Sequence, residues 1–201
     1  MGRDIRLALP NSVRVTSVGG VFYLEFLGTR SGGRYRAQGG GDILDFTTAD
    51  ASFDVLGPAI AMQAGDRIAV YNLGIPGADA WAGDTLATYA GAAGSVSTLA
   101  IASKLFPLAS PGNRFQIVDG PVSYVCDPAA GTLTRFWGYD PAVGVTAATP
   151  RALLASRVSD CSFDYQPGVT ERGGLVSMAL NLSQANETVR LVANTQVSNQ
   201  P

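Results

Sequence analysis

Asn113–Tyr139, NRFQIVDGPVSYVCDPAAGTLTRFWGY, decides how the rest of the chain is read. Two runs rich in β-branched and aromatic residues, Phe115–Asp127 and Thr132–Tyr139, flank Asp127-Pro128-Ala129-Ala130-Gly131. Asp bonds to backbone N–H groups nearby, Pro presets φ, and Gly tolerates positive φ, so the five residues read as a turn. Strands joined by a short turn pair antiparallel. The stretch therefore predicts a hairpin, with Cys126 at the end of its first strand.

Working outward, the same signal recurs. Val13 and Val15 alternate with polar residues, Gly19-Gly20 marks a hairpin turn, and Phe22, Leu24 and Phe26 alternate in the return. Ser31-Gly32-Gly33 reads as a turn into Arg34–Gln38, Gly39-Gly40-Gly41 as a break, and Ile43–Thr47 as a short strand. Asp66–Leu73 and Val96–Leu105 read as strands, with Trp81–Tyr89 a short helix or an irregular excursion in the Gly/Ala-rich stretch 74–95. Arg151–Val158 reads as one or two helical turns. Cys161–Gln166, Leu175–Leu182 and Glu187–Val197 read as strands. At the start, Ile5, Ala8 and Leu9 share one face at helical spacing, so Arg3–Leu9 reads as the end of a helix stopped by Pro10.

The 201 residues are 46% hydrophobic and 15% charged. Ordinary globular chains carry about 25% charge, so this surface is covered by Ser, Thr, Asn, Gln and Gly, as suits packing into an assembly or work outside the cytoplasm. The net charge of −2 offers no basic footprint for nucleic acid. The densest basic cluster, Arg30, Arg34 and Arg36 around Tyr35, reads as a solvated hairpin face or, less simply, a DNA contact. No run of 18 apolar residues or signal peptide is visible. Met1-Gly2 reads as an added start ahead of a truncated chain, with a targeting or membrane segment expected upstream.

Chemistry-bearing residues are sparse. The chain has no histidine, so Ser–His and Cys–His nucleophile pairs are excluded. A Ser–Lys pair has one candidate, Ser103 beside Lys104, the only lysine; in a strand their side chains point to opposite faces. Paired carboxylates for acid–base work are Asp42 with Asp45, Asp50 with Asp54, and Asp160 with Asp164, all in or beside turns. The acidic loop 42–54 is the one candidate for an oxygen-ligated cation, although no calcium-loop motif is present. The glycines form no phosphate cradle, and the sequence predicts no cofactor. Phe136, Trp137 and Tyr139 read as core, or alternatively as a sugar-stacking platform. Asn181-Leu182-Ser183 and Asn186-Glu187-Thr188 match the glycosylation triplet. Cys126 and Cys161, 35 positions apart, sit in no redox or zinc motif; they read as a structural disulfide, or as two buried thiols in a reducing compartment.

Three segments carry a family resemblance. RDIRLALPNSVRV (3–15) resembles the exit from the N-terminal helix of type IV prepilin-like minor pilins. NRFQIVDGPVSYVCDPAAGTLTRFWGY resembles the matching stretch of minor pilins of the MSHA pilus, of the MshO kind. So do LLASRVSDCSFDYQPG (153–168) and GLVSMALNLSQANETVRLVANTQVSNQP (174–201). The similarity is strong over 113–201 and the first fifteen residues, and weak from Thr16 to Leu105. Pseudopilin J of type II secretion is a more distant relative with a similar plan.

The resemblance implies an α+β, mostly β, pilin-like fold: residues 1–10 as the remnant of an N-terminal helix and 11–201 as a single β-rich head. It implies that Cys126 and Cys161 are paired. It implies a prepilin leader and an apolar helix ahead of this stretch, and a head exposed to the periplasm or exterior, anchored at the inner membrane before assembly. The expected partners are other major and minor pilins of the same fibre and, through the apolar helix, the inner-membrane assembly machinery. The isolated head is expected to be monomeric and non-enzymatic. The alternatives are a minor pseudopilin of type II secretion and an adhesin-like tip module that binds a ligand through the 74–95 region or the Trp137 sheet face.

Overall fold

Alternation of apolar and polar residues is matched by alternation of burial along several strands of the computed structural model, which describes residues 1–168 and 173–201. One helical turn, α1 (Gly2–Ile5), comes first. The strands follow in order: β1 (Arg14–Val18), β2 (Val21–Tyr35), β3 (Asp50–Leu56), β4 (Ile60–Met62), β5 (Arg67–Val70), β6 (Leu86–Thr88) and β7 (Gly94–Val96). Then come β8 (Thr98–Lys104), β9 (Arg114–Asp127), β10 (Thr132–Trp137), β11 (Arg151–Ser156), β12 (Val158–Gln166), β13 (Gly174–Gln184) and β14 (Glu187–Val197). The chain divides into two compact units, one formed by Met1–Gly28 with Gly120–Gln200 and the other by Thr29–Asp119 with Pro201.

In the first unit, β1 and the start of β2 form a hairpin, Arg14 opposite Glu25 and Val18 opposite Val21. The second half of β9 pairs with β10, Cys126 opposite Leu133, and β10 pairs with β11. The hairpin expected over Asn113–Tyr139 is present. A separate three-stranded antiparallel sheet runs β12-β13-β14. The main core is Ile5, Ala8, Val13, Leu24, Phe26, Val122, Tyr124, Val176, Met178 and Val197. A smaller cluster collects Cys126, Leu133, Val158 and Cys161.

In the second unit, β3 pairs with the end of β2 and with β8. β5 pairs with β6 and with the first half of β9, and β4 with β7. Its core is aromatic: Tyr35, Phe53, Phe106 and Phe115 are almost wholly buried. The Phe53 ring meets Phe115 edge-on at 5.5 Å and Tyr35 at 6.3 Å, geometries that aromatic quadrupoles favour.

The expected pilin-like α+β plan is corrected: the chain is sheet-rich and all-β, and among the described residues the helix is four residues long. Ile5, Ala8 and Leu9 are buried as their spacing predicts, but only Ile5 lies in the helix; Ala8 and Leu9 are reached after it ends. The turn tightens through bonds from Leu7 N to Asp4 O and from Ala8 N to Ile5 O. The chain then joins the sheet, with Ala8 bridged to Gly28 and Leu9 N bonded to Leu27 O at 2.7 Å. Leu9 precedes Pro10, a position that disfavours helical ψ.

Local corrections have local causes. Arg151–Val158 contains no helical turn; Arg151–Ser156 is strand β11, because β10 offers a ladder edge that overrides the helix propensity of its Ala, Leu and Arg residues. Ile43–Thr47 forms no strand: Asp45 bonds forward to Thr47 N and ties the segment into a turn. Trp81–Tyr89 is turn followed by β6. Ser31-Gly32-Gly33 is not a turn but lies inside β2. A Cβ on Gly32 would stand 2.6 Å from Phe115 O, and one on Gly33 2.9 Å from Ile60 Cδ1 and from Phe115 Cζ. These glycines provide clearance. Gly32→Ala is expected to destabilise the protein by about 1–3 kcal/mol, since the obstruction is backbone; urea unfolding read from Trp81, in the same unit, measures it.

Candidate functional site

Cys126 and Cys161 form a disulfide. Both are buried. Cys126 is opposite Leu133 in the β9–β10 ladder, and Cys161 opposite Leu180 in the β12–β13 ladder. The bond therefore staples the two sheets of the first unit.

A second fastening involves residues that sequence reasoning passed over. Asp4 Oδ2 accepts hydrogen bonds from Tyr124 Oη and Arg135 Nε, both at 2.8 Å. The Arg135 guanidinium lies over the Trp137 ring, 4.9 Å from its centroid, a cation–π arrangement. Burial works to raise the Asp4 pKa, but the Tyr124 and Arg135 hydrogen bonds and the Arg135 charge hold it below the usual carboxylate range. Burial, then the Asp4 carboxylate, pushes the Tyr124 hydroxyl far up. A parallel pair lies near it in sequence: Tyr139 Oη donates to Glu25 Oε1 at 2.8 Å, and Arg14 Nε to Glu25 Oε2 at 2.9 Å. Burial and Glu25 likewise raise Tyr139. Residues 4 and 135 are 131 positions apart, so no local sequence signal could have joined them.

Trp137 is partly buried against the main core of its unit, and its ring is capped by Arg135. Tyr139 is buried. Neither stands as an open stacking platform.

The carboxylates of the acidic loop are engaged, mostly within the loop. Asp42 Oδ2 accepts from Ser52 Oγ at 2.6 Å. Asp45 accepts from Thr47 N, Thr47 Oγ1 and Thr48 Oγ1, each at 2.7 Å. Asp50 Oδ2 accepts from Asp45 N. Asp54 accepts from Thr98 Oγ1, Asp42 N and Arg36 Nε. Among the described residues, no three His, Cys, Asp or Glu side chains converge as metal ligands. Of the other pairs, Asp160 accepts from Asn181 Nδ2 and Asp164 from Gln166 Nε2. Lys104 Nζ donates to Gly83 O at 2.9 Å.

The basic cluster is likewise dispersed. Arg30 is ion-paired with Asp66 and with Asp119, and Arg36 with Asp54. Tyr35 is fully buried, its hydroxyl accepting from Ser110 N and donating to Ser110 O. Of the glycosylation triplets, Asn181 lies within β13, whereas Asn186 stands exposed at a hairpin tip with φ 65°. No described helix is long and apolar enough to cross a membrane.

The Asp45 carboxyl is lowered to about 2, first by the Thr47 hydroxyl, then by Thr47 N–H and the Thr48 hydroxyl. Asp54 is lowered chiefly by Thr98 and Asp42 N–H. Asp66 is lowered too: burial opposes, but the Arg30 hydrogen bond, Gln63 N–H and the Arg30 charge prevail. Depressed folded-state values mean stability present above the unfolded Asp value near about 4 and lost as pH falls through the folded values. The denaturation midpoint is therefore expected to fall between about pH 4 and pH 2. In NMR titration the Asp45 carboxyl should move at about pH 2, and Thr47→Ala should return it toward the usual value.

One apolar cavity of about 230 Å³ opens in the first unit, lined mainly by Leu133, Phe163, Met178, Leu180, Leu191 and Ala193. Sequence reasoning assigned these residues to strands only. No family model, curated protein or solved structure matches this chain.

Proposed function

We propose that this chain is the non-enzymatic head of a minor pilin-type subunit, of an MSHA-like type IV pilus, contributing to assembly or initiation of the fibre. The observation that carries the reading is the Cys126–Cys161 disulfide. Such bonds persist in oxidising compartments, and the two cysteines lie within the segments whose residues resemble minor pilins. The low charge and the engagement of the acidic loop's carboxylates in local bonds agree with a packing role. The reading rests on the residues of 113–201, not on a helix-plus-sheet plan, which the chain does not adopt.

The test is mass spectrometry of fibres sheared from the source bacterium, together with a deletion strain. The chain should appear in the fibres far below the major subunit, and deletion should reduce piliation. Normal piliation with no chain in the fibres would overturn the reading. A secretion defect with intact pili would favour the type II pseudopilin instead.

A further inference from the structure

Natural sheets protect their edges with lysine, proline, bulges or covering segments, because an open edge invites another strand. Apart from the charges of Glu187 and Arg190, the stretch Glu187–Asn194 of β14 has none of these among the described residues; α1 packs against the far end of the strand, where Thr195 and Val197 are buried. β14 is eleven residues long, contains neither Lys nor Pro, and pairs with β13 without a register break from Gly174–Val197 to Gln184–Glu187. Among the described residues β13 is its only strand neighbour. Glu187–Asn194 are all exposed, including Val189 at 57%, Leu191 at 51% and Val192 at 64%. Leu191 and Val192 also border the apolar cavity.

We infer that β14 is a docking edge for a second copy of this chain, the two β14 strands pairing antiparallel about a two-fold axis at Val192. The sequence of β14 is self-complementary about that residue. Val192 meets Val192 of the second copy. Leu191 then lies opposite Ala193, Arg190 opposite Asn194, Val189 opposite Thr195, and Thr188 opposite Gln196. Apolar residues face apolar ones at the centre, Arg meets an amide acceptor, and no like charges oppose each other. A two-fold axis through Arg190 would set two guanidiniums face to face, which cross-strand energetics penalise. Pairing at Val192 turns two three-stranded sheets into one of six and satisfies the outer backbone groups of both edges. This pairing departs from the monomeric isolated head that the resemblance implies, and the edge would pair in this way whether or not the chain serves a pilus.

The test is sedimentation equilibrium of the full chain from micromolar to millimolar concentration. The expected result is a mass rising from 20.8 kDa toward twice that value, and association weakened at least about tenfold by Val192→Lys. Val192→Cys should form an interchain disulfide under mild oxidation, whereas Thr188→Cys, opposite Gln196, should not. Circular dichroism checks that each variant keeps its fold, which exposure of these side chains favours. A single-chain mass at every concentration overturns the pairing, as does association indifferent to Val192→Lys. Equal cross-linking of the two cysteine variants overturns the register.

Discussion

Replacing both Cys126 and Cys161 by alanine is expected to destabilise the protein by about 3–4 kcal/mol, the chain-entropy value for a loop of this length. The bond closes 35 residues spanning β10, β11 and the start of β12. Without it, the unfolded ensemble regains that freedom while the two sheets of the first unit lose their covalent tie. For a chain of this size the melting temperature should drop by about 6–16 °C. Reduction of the wild type should do the same, after a delay, because both sulfurs are buried. Thermal unfolding of a variant retaining Trp137 alone, which lies in that unit, is the measurement. A loss below about 1 kcal/mol would mean that packing of the Leu133–Val158 cluster suffices, and the stapling role would fall.

Phe53→Ala carries the second large effect, an expected loss of about 3–5 kcal/mol. Phe53 is fully buried at the centre of the second unit, edge-on to both Phe115 and Tyr35. Truncation removes the ring's contacts and leaves a cavity that β-sheet neighbours are too constrained to fill. Phe53→Leu, which keeps most of the volume, should lose markedly less. Trp81 lies in the same unit, so a variant with Trp81 as its only tryptophan reports the change in urea. Equal losses from the two substitutions would show that the site collapses freely and that the aromatic arrangement adds nothing.

The β-rich character, most strands and the Asn113–Tyr139 hairpin were legible because period-two alternation and turn chemistry act over a few residues. Ile5, Ala8 and Leu9 were legible as buried, since apolar spacing reports which face is covered. The conformation that buries them was not: the competing ladder with Leu27 and Gly28 comes from twenty residues away. Gly32 and Gly33 misled for the same reason. A glycine that opens a turn and one that clears space for Phe115 look identical until the second strand is in place.

The composition alone determined the absence of an imidazole base, the scarcity of charge and the single possible cysteine pairing, because these are counts and need no geometry. Only the tertiary structure decided that the acidic-loop carboxylates find hydrogen-bond donors, that Asp4 is clasped by Tyr124 and Arg135, and that β14 is the last strand of its sheet among the described residues. The Asp4 clasp depends on segments 120 and 131 positions apart meeting at hydrogen-bonding distance, and the place of β14 depends on which strands fill the sheet. Local propensity cannot encode such meetings; they follow from burying the apolar faces of many strands at once.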